Sequence, residues 1–143
     1  MPPRTRPALS EDIARGIVRV KKRLIAEADR RLAQRGEGVF AYQVLSVLQR
    51  GGPCAQNELA ESLGQHPAGI SRLLDDIEEA RLVRRTRDAA DRRRLMVAIT
   101  ARGRGLLARH RPLVDAAVEQ VLAPLARSER QTLRDLLWRM LDA

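Results

Sequence analysis

Six arginines crowd the stretch from Arg84 to Arg94, RRTRDAADRRR, with only Asp88 and Asp91 to offset them. Like charges packed this closely repel one another, and a strongly anionic partner relieves that repulsion. The chemistry these residues offer is therefore anion recognition. Bond-making chemistry finds less support. Ser71 has no His–Asp pair in a recognisable motif and no G-x-S-x-G around it, so a base or phosphate contact suits it better than nucleophilic attack. Cys54 is the only cysteine, which rules out an intrachain disulfide. A redox-sensing thiol needs a lowered pKa, and the sequence offers no device to lower it, so Cys54 reads as an inert small residue. One cysteine with His66 and His110 cannot build a structural zinc site within one chain. No acid–base or nucleophile set gathers elsewhere, so neither an enzyme nor a cofactor is expected.

The charge balance says what kind of anion to expect. The chain carries 27 basic and 18 acidic residues, a formal net charge of +9. Residues 1–35 hold 10 basic and 4 acidic residues, and residues 81–94 hold seven arginines against two aspartates. Such an excess points to nucleic acid or an anionic membrane. Phe40, Tyr42 and Trp138 are the only aromatics. Readers of single strands offer several stacking rings, so duplex DNA is the better polyanion for this chain. No apolar run reaches the roughly 18 to 20 residues of a membrane helix, and the basic, Pro-rich start MPPRTRPALS lacks the apolar core of a secretion signal. The expectation is a soluble cytoplasmic protein of one domain, residues 10–143, behind a loose basic arm at 1–9.

The elements that must position these residues follow from periodicity. Ile13, Ile17, Val20, Leu24, Ala28 and Leu32 step by three and four, which predicts a helix over about 10–35 with Ser10 as its cap and Gly36 beyond its end. A second helix is expected over 39–50, before Gly51-Gly52-Pro53, and a short third over 56–62. In the next, Pro67 suits the first turn, and Ile70, Leu73, Leu74 and Ile77 form the apolar stripe. Leu95, Val97 and Ile99 alternate with Arg94, Met96 and Ala98, which predicts a strand. Residues 83–87 pair with it across a charged tip. Thr100 then caps a long helix to about 126, which Pro112 should kink. Ser128 and Gln131 have the spacing of a capping box opening a last helix with Leu133, Leu136, Leu137, Met140 and Leu141 on one side. The fold class is mostly α with a small β-hairpin. Residues 40–100 form a helix-turn-helix followed by a wing. The helices at 10–35 and 101–143 are too apolar to stand alone, and a two-fold homodimer would bury them.

These motifs together resemble the MarR family of winged-helix regulators over nearly the whole chain. ELAESLGQHPAGISRLLDDIEEARLVRR is similar to that family's helix-turn-helix. Asp88, Asp91, Arg93, Thr100 and Gly103 match its wing signature, D-x-R-D-x-R, a strand, then L-T-x-x-G; Ala90 stands where an arginine is usual, and Ile99 replaces a leucine. The resemblance implies a sequence-specific transcriptional regulator, chiefly a repressor, bound as a homodimer to a pseudo-palindromic duplex. Its recognition helix would present His66, Ala68, Gly69, Ser71 and Arg72 to a major groove. Arg87, Asp91, Arg92, Arg93 and Arg94 would form the wing contacts, with Arg93 in a minor groove and Asp91 holding its guanidinium. The resemblance also implies release by a small anionic aromatic or phenolic effector, for which Arg15, Arg19 and His110 are the candidate anion contacts. The rival reading is a weakly specific architectural DNA-binding protein, separable by its specificity ratio.

Overall fold

A computed structural model of the chain describes residues 8–143, so most of the expected arm, residues 1–7, lies outside the described residues. The order is α1 (Leu9–Ala33), α2 (Val39–Gly51), β1 (Cys54–Ala55), α3 (Gln56–Ser62), α4 (Pro67–Glu79), β2 (Val83–Arg87), β3 (Leu95–Ile99), α5 (Ala101–Leu122) and α6 (Arg127–Leu141). The strands form an antiparallel sheet in the order β1-β3-β2. The hairpin register runs from Val83 opposite Ile99 to Arg87 opposite Leu95. Strand β1 was not anticipated. Two residues show no alternation, and only the packing of α3 brings Cys54 opposite Val97.

The core is apolar and shared by α2, α3, α4, the sheet and α5. Leu45, Leu48, Leu59, Ile70, Leu74, Val97 and Leu107 are fully buried within it. Helix α1 packs along α5 and buries only Ala28 and Leu32. The rest of its stripe, Ile13, Ile17 and Val20, remains exposed, and α6 buries no residue at all.

Three helix ends differ from expectation. Helix α1 begins at Leu9 with Ala8 as N-cap, and Asp12 N bonds to Ala8 O at 3.0 Å, so Ser10 sits inside the first turn and caps nothing. Helix α5 runs unbroken through Pro112 and ends at Leu122, ahead of Pro124, which has no N–H with which to continue the ladder. The Ser128/Gln131 capping box does not form. Helix α6 opens two residues earlier, where Glu129 accepts from Ala126 N at 2.9 Å. A carboxylate at the third helical position reaches back to that amide and also favours the positive end of the helix dipole.

The join between α4 and α5 sets the angle of the wing. Helix α4 closes with Arg81 at φ +62°, while Leu82 N bonds back to Ile77 O at 3.1 Å, a Schellman-type ending. Thr100 caps α5 by accepting from Gly103 N at 3.0 Å, and its hydroxyl donates towards Arg81 O at 2.7 Å. Thr100 N bonds to Leu82 O at 3.1 Å. The start of α5 is thereby laid directly on the α4–β2 connection. Gly103 leaves room for this, because a Cβ there would stand 2.2 Å from Leu82 O.

Candidate nucleic-acid interface

Helix α4 points Ile70, Leu74 and Ile77 into the core, which leaves Ala68, Arg72, Asp75 and Glu79 exposed on the opposite side. Ala68 and Gly69 are exposed and small, and no atom outside the helix lies within 4 Å of a Cβ built at Gly69. Ser71 is half-buried. His66 is the N-cap, and its Nδ1 accepts from Ala68 N at 3.2 Å. The imidazole, expected as a groove-facing side chain, here holds the first turn together.

The wing tip is a hydrogen-bonded turn rather than a loose loop. Asp88 N bonds to Arg94 O at 2.9 Å, and Arg94 N bonds to Asp91 O at 2.9 Å. Asp88 Oδ1 accepts from Ala90 N at 3.1 Å, so the alanine at 90 still serves the turn through its backbone. Asp91 Oδ1 accepts from both Arg93 N at 3.1 Å and Arg93 Nε at 3.3 Å, while the Arg93 side chain stays 92% exposed. Arg94 is paired within the chain at the surface, its Nη2 lying 2.9 Å from Glu58 Oε1. Arg87, Arg93 and Arg94 line one hollow of about 350 Å³ with Ala55 to Glu58 at the start of α3. Arg92 is exposed and stands outside it.

Sequence reasoning missed Arg85. Its register opposite Val97 puts it on the inner side of the hairpin with Val83. From there the guanidinium meets Asp75 and Glu78 of α4, donates to Ser71 O at 3.3 Å and to Gln56 Oε1 at 3.3 Å, and is only 12% exposed. Its backbone N also donates to Glu78 Oε2 at 2.8 Å. Burial alone would weaken the charged form, but the hydrogen bonds to Asp75 and Glu78 outweigh it and raise the pKa. Arg85 thus clamps the wing to α4. The available signal was an arginine at an inward strand position following the acidic run DDIEE.

The structure does not bring Arg15, Arg19 and His110 together. Arg15 and Arg19 sit on the solvent side of α1 beside Ala14 and Val18. His110 is 3% exposed within α5, with Nε2 against the Glu37 carboxylate. Burial pushes its pKa down; Glu37 opposes the shift, and Arg109 and Arg35 add to it. Between α2, the end of α4 and α5 lies a cavity of about 360 Å³ instead, walled by Ala41, Ile77 and Leu106 and edged by Arg102 and Arg109. Cys54 is half-buried in β1, and burial followed by the Glu58 charge raises its thiol pKa, opposite to what a sensor thiol requires.

A short helix, a turn through Gly64, a second helix and a hairpin of basic tip together make a winged helix-turn-helix. Known proteins agree. A family model described as the MarR family matches residues 38–94. The transcriptional regulator HosA of Escherichia coli is 32% identical over 101 residues, 71% of this chain and 75% of that protein. A MarR-family transcriptional regulator from Rhodococcus sp. RHA1 superposes with a TM-score of 0.81 at 29% identity, covering 94% of this chain and 97% of the other. CouR from Rhodococcus jostii RHA1, solved bound to p-coumaroyl-CoA, superposes at 0.76 with 31% identity, covering 94% and 95%. The chain belongs to the MarR family of transcriptional regulators.

Proposed function

We propose that this protein is a homodimeric, sequence-specific regulator, chiefly a repressor, that holds a pseudo-palindromic duplex and releases it when a small aromatic acid binds. In this reading Ala68, Gly69, Ser71 and Arg72 face the major groove, and Arg72 takes guanine O6 and N7. Arg93 enters the minor groove, while Arg87 and Arg92, which make no ion pair among the described residues, neutralise phosphates. The observation that carries the reading is Arg93 itself. Its guanidinium is tied to Asp91 on a bonded turn, yet almost nothing of the chain covers it. An arginine presented in this way is oriented for something outside the molecule.

Selection of bound fragments from random duplexes tests the whole reading. A regulator should recover one motif with two related halves, at a specificity ratio of about 10³ or more over bulk duplex. Near-equal binding of all duplexes would favour the architectural alternative. On the selected duplex, Arg93→Ala should weaken binding and make log K against log salt shallower by about one for each phosphate charge lost. Asp91→Ala removes a negative charge near DNA, so Coulomb's law alone predicts tighter binding. If Asp91 orients Arg93, binding weakens instead, and the double variant costs little more than Arg93→Ala. Tighter binding by Asp91→Ala would return Asp91 to the role of an ordinary turn residue.

The cavity between the helix-turn-helix and α5 supports the effector half of the proposal. Apolar walls suit an aromatic ring, and Arg102 and Arg109 suit its carboxylate, so these two arginines replace Arg15, Arg19 and His110 as the proposed anion contacts. A relative 31% identical holds an aromatic acyl thioester. Release would be a population shift, the ligand preferring a dimer geometry whose half-sites no longer fit the duplex. Titrating benzoate- and cinnamate-class acids into the protein–duplex complex tests this; failure of every one to dissociate it would remove the ligand from the reading.

A further inference from the structure

We infer that His66 acts on the duplex as a neutral hydrogen-bond donor, giving its Nε2–H to a base-edge or phosphate acceptor while its Nδ1 caps α4. The inference rests on α4 facing DNA, as proposed above. Its basis is the hydrogen-bond inventory of the first turn of α4. Pro67 has no N–H. Ala68 N is taken by His66 Nδ1 at 3.2 Å. Gly69 N and Ile70 N both bond to His66 O, at 3.0 and 3.2 Å. A helix N-terminus ordinarily offers free amides to a phosphate, but here those of Ala68, Gly69 and Ile70 are already taken. Pro67, Ala68, Gly69 and Ile70 have no side-chain donor either. The imidazole is exposed at this end of the helix and, unlike the neighbouring Gln65 amide, is held in place by the cap it makes.

The cap also decides which nitrogen donates. A ring nitrogen that accepts from an amide carries no proton, so the neutral imidazole holds its proton on Nε2, away from the helix. A donor is selective. It fits guanine O6 and N7, adenine N7, thymine O4 or a phosphate oxygen, and it is refused by the amino groups of cytosine and adenine. His66 would therefore contribute a preference at the outermost position α4 reaches.

Two substitutions separate the cap from the donor. Serine is a good N-cap but lacks the reach, so His66→Ser should unfold at the wild-type temperature and bind the selected duplex about tenfold more weakly, the size of one base-directed hydrogen bond. Glutamine is a poor N-cap but carries an amide donor of similar reach, so His66→Gln should unfold earlier and bind more nearly as wild type. Duplexes lacking one acceptor at a time locate the contact: 7-deazapurines and 2-aminopurine probe bases, and methylphosphonates probe phosphates. At one position the modification should weaken wild type about tenfold and leave His66→Ser unchanged. Equal binding by wild type and His66→Ser overturns the inference, as does a series in which every modification weakens both proteins alike. If the wild type selects no duplex, the reading of α4 fails first, before any His66 variant is compared.

Discussion

Gly103→Ala should destabilise the protein by about 3 kcal/mol, the upper range for forcing an atom into a filled site. A Cβ at 103 would meet Leu82 O at 2.2 Å, Ile99 Cγ1 at 2.9 Å and Leu45 Cδ2 at 3.0 Å. The nearest of these is backbone and is already held. Leu82 O accepts from Thr100 N at 3.1 Å, with the Thr100 hydroxyl at 3.0 Å. Relief would mean lifting the start of α5 off the α4–β2 connection and breaking the cap that Thr100 makes to Gly103 N. Gly105 is the control. It lies two residues on in the same helix, and a Cβ there meets only the flexible end of Arg109 at 3.5 Å. Gly105→Ala should therefore be neutral or stabilise by up to about 1 kcal/mol, as alanine does in a helix. Urea unfolding followed by circular dichroism reads both. A Gly103→Ala midpoint equal to that of Gly105→Ala would mean that the contact is soft and the T-x-x-G spacing has another cause.

The second large effect is expected at Ile17. Ile13, Ile17, Val20, Leu24, Leu133 and Leu137 line one groove of about 580 Å³ between α1 and α6. Beyond it Leu136, Trp138 and Met140 are 46%, 58% and 55% exposed. A lone soluble chain rarely leaves so continuous an apolar surface in water, and a second copy of these helices would cover it. Ile17→Asp would put a carboxylate into that interface, where an unpaired charge is costly. Sedimentation should then move from about 32 kDa, twice the 16.0 kDa chain, towards the single chain. Loss of the paired half-site contact should weaken operator binding by about 100-fold or more. The core of the helix-turn-helix contains no α1 residue, so its unfolding signal should persist. A wild type that sediments as a monomer, or an Ile17→Asp variant that stays dimeric on its operator, would take the interface away from this face.

Much of the molecule was legible in the chain because it depends on neighbours in sequence. Apolar spacing of three and four located α1, α4 and α6, and Gly51-Gly52-Pro53 marked the end of α2. Pro67 and Thr100 marked the starts of α4 and α5, alternation located β3, and β2 followed as its hairpin partner. The excess of arginine over Asp88 and Asp91 marked the wing, and motif order marked the family. Cap positions were harder. At the starts of α1 and α6 several nearby residues compete, and a backbone or carboxylate bond settled each cap two residues before the expected hydroxyl. Contacts between distant segments were beyond reach, since they depend on how whole elements dock. Only docking turned Arg85 inward to Asp75 and Glu78, joined Arg94 to Glu58, set β1 against β3, and separated His110 from Arg15 and Arg19. The sequence by itself thus determined the elements, their order and the sign of the partner's charge. The tertiary structure alone decided which arginines of the wing, Arg85 and Arg94, are paired to other elements of the chain and which stay exposed at its tip.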